Sequence, residues 1–170
     1  MKYISVDGAT KSTGIALFKD KNLESYDCFT ETNNDVFVRI KNMIKKIDNF
    51  IQENEDIEYI IFEEVRPEDG KNKKKMHTYK VLMYLQAAAA FMLHDKYPKI
   101  QMEFIYPSEW RGACGIPQGS GIKRDTQKIY DIKYVENNFN LKVNDDIANA
   151  IEIGLGWFYK KNKGTDKMMF

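Results

Sequence analysis

The order of short strand-like segments and longer amphipathic segments constrains the fold of this chain more than any other feature of its sequence. The chain begins with three short apolar segments that turn-forming residues separate. These segments are residues 2–6, 14–19 and 23–29. Because the connections are short, the sequence predicts three consecutive antiparallel strands, the first two joined by a tight loop beside Asp7.

A long amphipathic segment and a second set of elements follow. Apolar residues recur at helical spacing from Val36 to Ile51, behind Asn34 and Asp35 as N-cap candidates. Further strands are predicted at 58–62 and 101–106. Further helices are predicted at 76–94, 123–139 and 146–160. A short helix that contains Trp110 and Arg111 is also predicted, with Ser108 as its N-cap. A polar loop is predicted at 66–75, and the Gly-rich stretch 112–121 is expected to stay outside the core.

This element order is typical of an α/β fold with a mixed five-stranded sheet flanked by helices. A chain of 170 residues, 43% of them hydrophobic, is long enough to bury a full core. No internal repeat and no linker divides it. The sequence therefore predicts a single domain over residues 1–170.

Acidic residues stand at three points where a fold of this kind places its sites. Asp7 ends the first strand, Glu63 ends the fourth with Glu64 beside it, and Asp145 and Asp146 open the last helix. Open α/β sheets hold their sites at the carboxyl ends of strands, so Asp7 and Glu63 are expected to be neighbours. Buried carboxylates are costly without cations, and a pair of divalent metal ions would compensate all three sites. Each site alone also fits an ordinary turn, strand end or N-cap.

Helical spacing gives the acids of the last helix different directions. Asp146 lies on a flank that can lean on the sheet, whereas Asp145 and Glu152 are expected to face water. Asn149, one turn beyond Asp146, can bind a metal or hydrogen-bond a metal-bound water.

The candidate metal ligands are therefore Asp7, Glu63, Asp146 and Asn149. Oxygen ligands without Cys or His favour Mg²⁺, with Mn²⁺ as a substitute. Two such ions roughly 4 Å apart can activate a water and stabilise the leaving 3′-oxygen in phosphodiester cleavage. The predicted chemistry is metal-dependent phosphodiester hydrolysis.

The net charge of +1 averages over three basic clusters. Each cluster alone is typical of a solvated face, but three in a protein with an acidic site favour a polyanionic partner. The clusters are Lys71 with Lys73, Lys74 and Lys75, then Lys123, Arg124 and Lys128, then Lys160, Lys161 and Lys163.

Other features of the composition exclude several classes. The two cysteines and two histidines are spaced unlike a zinc site, and reduced thiols are expected. The N-terminus reads as a strand rather than a signal peptide, and no apolar run approaches the length of a membrane span. We expect a cytoplasmic protein without membrane partners.

Three blocks of the sequence resemble the active-site blocks of the RuvC Holliday-junction resolvases. They are residues 5–16 (SVDGATKSTGIA), 61–65 (IFEEV) and 145–150 (DDIANA). Residues 106–111 (YPSEWR) and 123–128 (KRDTQK) resemble the phage branch of that family, notably the proteins of lactococcal phages. The similarity runs through about residues 2–158 in the family's order. It implies an RNase H-like fold, a homodimer, Mg²⁺-dependent nicking of Holliday junctions and other branched DNA, and, for a phage protein, the cytoplasm of the bacterial host.

Matched position by position, Asp7, Glu63 and Asp146 correspond to the family's catalytic acids. Lys123 matches a basic residue near the scissile phosphate, where a lysine would stabilise the charge that develops on the phosphorane. Asn149 departs from the family, because the second acid of the closing Asp-x-x-Asp is an amide here. This lowers the negative charge of the site and is expected to weaken one metal.

A second departure concerns DNA selectivity. Bacterial members carry an aromatic wedge soon after the glutamate, and residues 65–67 contain none. A broad preference for branched DNA, made through salt-sensitive phosphate contacts, is therefore expected. The candidate DNA-binding residues are Arg66, Lys73, Lys74, Lys75, Arg111, Lys123, Arg124 and Lys128.

Paired nicking of a four-way junction requires two active sites related by a two-fold axis, and so a homodimer. Tyr79 and Tyr84 lie on a helix that can pack either a dimer or the core, and Trp110 is expected in the core. Two other functions stay open. Asn149 is compatible with a branched-DNA-binding protein of weak catalytic activity. The opening motif around Asp7 also resembles the pre-16S rRNA nucleases and, more distantly, sugar-kinase-type ATPases, so that an RNase H-like nuclease acting on RNA is an alternative.

Overall fold

The computed structural model describes residues 1–66 and 73–166, with the side chains of residues 1–66 and 76–163. The strands are β1 (Lys2–Asp7), β2 (Ser12–Lys19), β3 (Asn22–Thr30), β4 (Tyr59–Glu63) and β5 (Gln101–Ile105). The helices are α1 (Val36–Gln52), α2 (Lys73–Lys96), α3 (Pro107–Cys114), α4 (Arg124–Phe139) and α5 (Asp145–Asp166).

The strands of the described residues form one sheet in the order β3-β2-β1-β4-β5. The pairs β1–β2 and β2–β3 are antiparallel, and the pairs β1–β4 and β4–β5 are parallel. This confirms the predicted mixed five-stranded α/β sheet and its three antiparallel N-terminal strands. Val6 pairs with Phe62, so Asp7 and Glu63 end neighbouring parallel strands at the same edge.

Each face of the sheet has its own helices, because successive side chains of a strand point to opposite faces. Ile4 and Val6 pack in a cluster with the buried sides of α1 and α2. Tyr3, Ala16 and Phe18 pack in a second cluster with α3, α4 and α5. The sheet is thus covered on both faces, and its carboxyl edge stays accessible between them.

The helix α1 begins as the sequence predicts. The Asp35 side chain accepts hydrogen bonds from the backbone N–H groups of Phe37 and Val38, so Asp35 rather than Asn34 is the N-cap. The buried residues of α1 follow the predicted apolar stripe, from Ile40 to Ile51.

Three local predictions are wrong. Tyr106 is the N-cap of α3, and Ser108 lies inside the helix, because Pro107 suits the first helical position. The helix extends into the Gly-rich stretch, where Ile116 is buried in the core. The predicted loop at 66–75 gives way to α2 from Lys73 onwards, and its residues 67–72 lie outside the described part of the chain.

The helix α5 is fixed on the sheet by buried hydrogen bonds and close approaches. The Ser5 hydroxyl donates to the carbonyl of Ala150 at 2.6 Å, and the Tyr3 hydroxyl donates to that of Gly154 at 3.2 Å. A Cβ atom on Gly14 would lie 1.9 Å from the carbonyl oxygen of Asp146. Because Gly14 pairs with Asp7 in the sheet, this contact brings the start of α5 over the end of β1.

Within the part of the chain that the structure describes, no helix combines the length and the hydropathy that a membrane span requires.

Candidate active site

A cleft of about 450 Å³ opens where the carboxyl ends of β1 and β4 meet the first turn of α5. The four predicted metal ligands all line it, namely Asp7, Glu63, Asp146 and Asn149. Glu64 and Asp145 line it as well. A second cleft of similar volume, about 450 Å³, lies at the opposite end of β4 and β5, away from these acids. The structure thus brings together the acidic residues that the sequence placed on separate elements.

The acids share the cleft without surrounding one point. Among residues 1–66 and 73–166, no three Asp, Glu, His or Cys side chains are arranged so that they could hold a metal ion as they stand. Asp7, Glu63 and Asp146 instead each make a hydrogen bond to a neutral group of the protein.

Asp7 is held by the amide of Asn149. The Asn149 Nδ2 atom donates to Asp7 Oδ2 at 3.1 Å. The amide oxygen, Asn149 Oδ1, is buried and has no hydrogen-bond partner among the described residues. An unpaired buried carbonyl is costly, so this oxygen stands as an acceptor in need of a ligand.

Glu63 is held from the side of α3. The indole N–H of Trp110 donates to Glu63 Oε2 at 3.0 Å, and the Gln86 side chain on α2 donates to the Glu63 carbonyl at 2.8 Å. Trp110 is completely buried, which confirms its predicted place in the core. Its hydrogen bond to a predicted ligand is an additional contact that sequence reasoning missed.

Asp146 lines the cleft and contacts residues of β2 and β3. The Ser12 hydroxyl donates a short hydrogen bond to Asp146 Oδ2, and the Cys28 thiol lies 3.9 Å from the same oxygen. The neighbouring Asp145 forms an ion pair with Lys128 of α4. The two adjacent acids therefore differ in partner, one bonded to a neutral hydroxyl and the other to a cation.

Burial raises the pKa values of two acids of the cleft, Asp7 and Glu63. Burial raises the pKa of Asp7 to about 8; the Glu63 charge adds to this rise, and the Asn149 hydrogen bond opposes it. Burial also raises the pKa of Glu63, against the lowering effects of the Arg111 charge and the Trp110 hydrogen bond. Nearby positive charge would lower both pKa values.

A buried ion pair lies behind Glu63. Arg111 Nη2 lies 3.1 Å from Asp131 Oδ2, and the Arg111 guanidinium also stacks 4.0 Å from the Trp110 ring centre. The Gln127 side chain donates to Asp131 at 2.9 Å. The guanidinium of Arg111, predicted to contact DNA, is thus mostly engaged inside the protein.

Glu152 lies in the interior, contrary to the expectation that it faces water. It is fully buried, and its two carboxylate oxygens have no hydrogen-bond partner within the described part of the chain. Burial raises the pKa of Glu152 to about 10, and the charge of Asp131 adds to this rise. The prediction failed because α3 and α4 pack against α5 and cover its flank, which the spacing within one helix does not reveal.

The other basic candidates lie around the cleft in different positions. Arg66, Arg124 and Lys128 line it together with Arg111. Arg66 is exposed, donates to the Ser108 hydroxyl at 3.2 Å and lies 3.9 Å above the Tyr106 ring. Lys123 is the exposed N-cap of α4, next in the chain to Arg124, and does not itself line the cleft.

The side chains of three further candidates, Lys73, Lys74 and Lys75, lie outside the described part of the chain.

Comparison with solved structures shows which known fold the chain shares. RuvC from Thermus thermophilus in complex with a Holliday junction substrate matches with a TM-score of 0.69 at 13% identity, over 97% of this chain and 98% of that one. The chain has the RNase H-like fold of RuvC. A second structure of Thermus thermophilus RuvC matches with a TM-score of 0.66 at 13% identity, over 97% of this chain and 98% of that one.

A eukaryotic structure matches as well. The yeast mitochondrial Holliday junction resolvase matches with a TM-score of 0.60 at 13% identity, over 99% of this chain and 84% of that one. No protein-family model matches the sequence, and no curated protein matches it at a significant level. The structural likeness at this identity establishes the fold alone, and the residues that bear on an activity are those of the cleft.

Proposed function

We propose that the protein is a metal-dependent, structure-selective endonuclease of the phage RuvC type that nicks Holliday junctions and other branched DNA. The observation that carries the proposal is the meeting of Asp7, Glu63 and Asp146 in one cleft edged by cationic side chains. The fold is shared with proteins described as Holliday junction resolvases, and this supports branched DNA as the substrate.

The donor set fits a hard divalent cation. Asp7, Glu63 and Asp146 supply carboxylate oxygens, and Asn149 supplies a buried carbonyl oxygen without a partner. Oxygen donors of this kind suit Mg²⁺ and Mn²⁺. When bound, two such ions supply an activated water and charge stabilisation for in-line phosphodiester hydrolysis.

The residues of the chain have separate roles in this proposal. Asp7, Glu63 and Asp146 hold the cations. Because no three acids of the described residues converge as they stand, binding requires at least one carboxylate to turn, and Asp146 can do so by leaving the Ser12 hydroxyl. Asn149 orients Asp7 through its amide N–H and offers its Oδ1 atom to a cation, in place of a fourth acid.

The cationic side chains supply the contacts to DNA. Arg66, Arg124 and Lys128 line the cleft and would bind phosphates on either side of the reacting one. Lys123, at the start of α4, would reach the scissile phosphate and stabilise its developing charge. Arg111 acts through Glu63 and Asp131 rather than by direct contact with phosphate.

We further propose that the protein acts as a homodimer, which paired nicks on opposed strands require. An apolar surface of α2 and α1 suits a second copy of the chain: Phe91 is 77% exposed and Phe37 is 65% exposed. Tyr84 stacks on Phe37 in the same surface, with ring centres 6.2 Å apart. Phe91→Glu is expected to give a monomer in sedimentation velocity experiments. The control Ile129→Glu, on the exposed side of α4, is expected to keep the dimer. A Phe91→Glu protein that remains dimeric would contradict the proposal that this surface forms the dimer interface.

The function is tested by nicking assays on end-labelled four-way junction, Y-fork and linear duplex DNA, with a stem-loop RNA alongside. Mg²⁺, Mn²⁺ and EDTA are compared, for the wild-type protein, Asp7→Asn and the matched control Asp95→Asn on the exposed end of α2. We expect metal-dependent nicks in branched DNA that Asp7→Asn loses and Asp95→Asn retains. Preferred cleavage of the RNA would assign the chain to another class of RNase H-like nuclease.

One observation favours a second candidate function. Asn149 provides an amide where the resembled family has an acid. A branched-DNA-binding protein without significant cleavage would bind the junction selectively and leave it intact with either metal. That outcome would replace the nuclease proposal.

A further inference from the structure

Trp110 is bound to the candidate site by a hydrogen bond that core packing alone does not require. It is the completely buried residue of α3, and its indole N–H donates to Glu63 Oε2 at 3.0 Å. A buried indole N–H needs an acceptor, but any carbonyl can serve. Here the acceptor is a side chain of the acidic cleft.

The indole is held firmly by its surroundings. Gly156 of α5 lies so close to the base of the Trp110 side chain that a Cβ atom there would be 2.5 Å from Trp110 Cα and Cβ. The guanidinium of Arg111 lies 4.0 Å from the ring centre, and Asp131 holds that guanidinium at 3.1 Å. A donor with so little freedom fixes the orientation of the carboxylate that it binds.

The hydrogen bond between Trp110 and Glu63 connects elements that carry several of the candidate ligands. Glu63 is the last residue of β4, and the same α5 that seats Trp110 also carries Asp146 and Asn149. The hydrogen bond thus ties the Glu63 side chain, through α3, to the helix α5 that carries Asp146 and Asn149. Groups that hold metal ligands in place typically change metal affinity by roughly 10- to 100-fold when they are removed.

We propose that Trp110 is a positioning residue: its indole N–H sets the orientation of Glu63 for binding a divalent cation. The inference rests on the proposed function, since it assigns a role to a contact of the same site. It adds a residue that acts through Glu63 and touches neither the cation nor DNA.

The chain contains a matched control for this contact. The indole N–H of Trp157, also buried, donates to Glu103 Oε2 at 2.6 Å. Trp157 and Glu103 border a different cavity, together with Lys160 and Lys161. The substitutions Trp110→Phe and Trp157→Phe each delete one buried indole–carboxylate hydrogen bond, but only the first deletes one at the acidic cleft.

The first test uses the intact protein without DNA. Its two tryptophans give two indole N–H signals in a ¹⁵N–¹H correlation spectrum, and Trp157→Phe identifies the signal of Trp110. On titration with Mg²⁺, the Trp110 signal is expected to shift to saturation, with little change at Trp157. Glu63→Gln is expected to weaken or abolish that response. A Trp110 signal that stays fixed while calorimetry detects Mg²⁺ binding would overturn the proposal.

The second test measures nicking of the four-way junction against Mg²⁺ concentration. Trp110→Phe is expected to raise the half-saturating Mg²⁺ concentration roughly tenfold or more. Trp157→Phe is expected to leave it unchanged while losing a similar amount of thermal stability. Equal Mg²⁺ requirements in the two folded variants would reduce Trp110 to a core residue.

These outcomes separate the positioning role from the proposed function. If the wild-type protein neither binds Mg²⁺ nor nicks the junction, the proposed function fails, and the positioning role fails with it. If the wild-type protein does both and Trp110→Phe matches Trp157→Phe in Mg²⁺ requirement, only the positioning role is overturned.

Discussion

The two faces of the sheet bury different kinds of side chain. The face under α1 and α2 is closed by aliphatic and aromatic residues, and its prominent ion pair, Lys96 with Asp48, lies largely at the surface. The face under α3, α4 and α5 buries the Arg111–Asp131 pair and the unpaired carboxyl of Glu152. Buried ionisable groups are costly, so a fold that keeps them on one face only is consistent with a site whose chemistry requires them.

The largest expected effect comes from breaking the buried pair. Arg111→Met removes the cation that pairs with the buried Asp131 side chain, and loss of one partner of a buried pair typically costs about 3–5 kcal/mol. The matched change on the other face, Lys96→Met, removes an exposed cation from Asp48 and is expected to cost about 0–1 kcal/mol. Chemical unfolding of both variants measures the difference. Equal losses in the free energy of unfolding would contradict the difference in buried charge between the two faces of the sheet.

A smaller effect is expected from the close approach of α5 to the sheet. Gly14→Ala places a Cβ atom where the Asp146 carbonyl oxygen now lies, and overpacking of this kind typically costs about 1–3 kcal/mol. Because the start of α5 must move, junction nicking should fall together with stability. The control Gly8→Ala meets side chains only at 3.8 Å or more and should leave the free energy of unfolding nearly unchanged. Gly14→Ala with wild-type stability and nicking would contradict this seating of α5.

A further effect is expected at Glu152, and its size depends on pH. The unfolded chain ionises this carboxyl near its ordinary pKa of 4.5, whereas burial raises the pKa of Glu152 to about 10 in the folded protein. The contribution of the protonated carboxyl to stability is therefore full below about pH 4.5 and is lost as the pH rises towards 10. One proton gives at most about 1.4 kcal/mol per pH unit.

Glu152→Gln removes this titration and keeps the shape of the side chain. The free energy of unfolding of the variant, relative to wild type, is expected to increase between pH 5 and pH 8, as measured by urea unfolding at each pH. Asp95→Asn, at an exposed position, controls for the general effect of pH. A difference that stays constant across this range would show that Glu152 is ionised in the folded protein.

The strand and helix order was predictable from the sequence because it depends on local periodicity and turn residues. Asp35 caps α1, ahead of the apolar pattern that predicts this helix. Asp7 and Glu63 end neighbouring strands, as the apolar run before each of them indicates. That Asp7 and Glu63 lie together was also predictable, since the carboxyl ends of parallel strands share an edge. Helical spacing placed Asp146 on the flank of α5 that can lean on the sheet.

The contacts of the acids were not predictable, because they are made between elements. The Ser12 hydroxyl on β2 binds Asp146 across 134 positions of the sequence, and the Trp110 indole binds Glu63 across 47. The spacing within one helix predicted that Glu152 faces water, but Glu152 is buried because α3 and α4 pack against α5. The available sequence signal was the pair of hydroxyl residues, Ser12 and Thr13, at the start of β2, the strand that flanks β1.

The most direct measurement compares Mg²⁺-dependent nicking of a four-way junction by Asp146→Asn and Asp145→Asn. The two residues are adjacent, but Asp146 is bonded to the Ser12 hydroxyl beside the other acids, whereas Asp145 is paired with Lys128. We expect wild type to nick the junction with Mg²⁺ and not with EDTA. Asp146→Asn is expected to lose at least about a hundredfold in nicking rate, on the order expected for losing an electrostatic contact of the transition state. Asp145→Asn is expected to stay within about tenfold of wild type. Undiminished nicking by Asp146→Asn, or loss in Asp145→Asn alone, would contradict the assignment of this cleft as a nuclease site built on Asp7, Glu63 and Asp146.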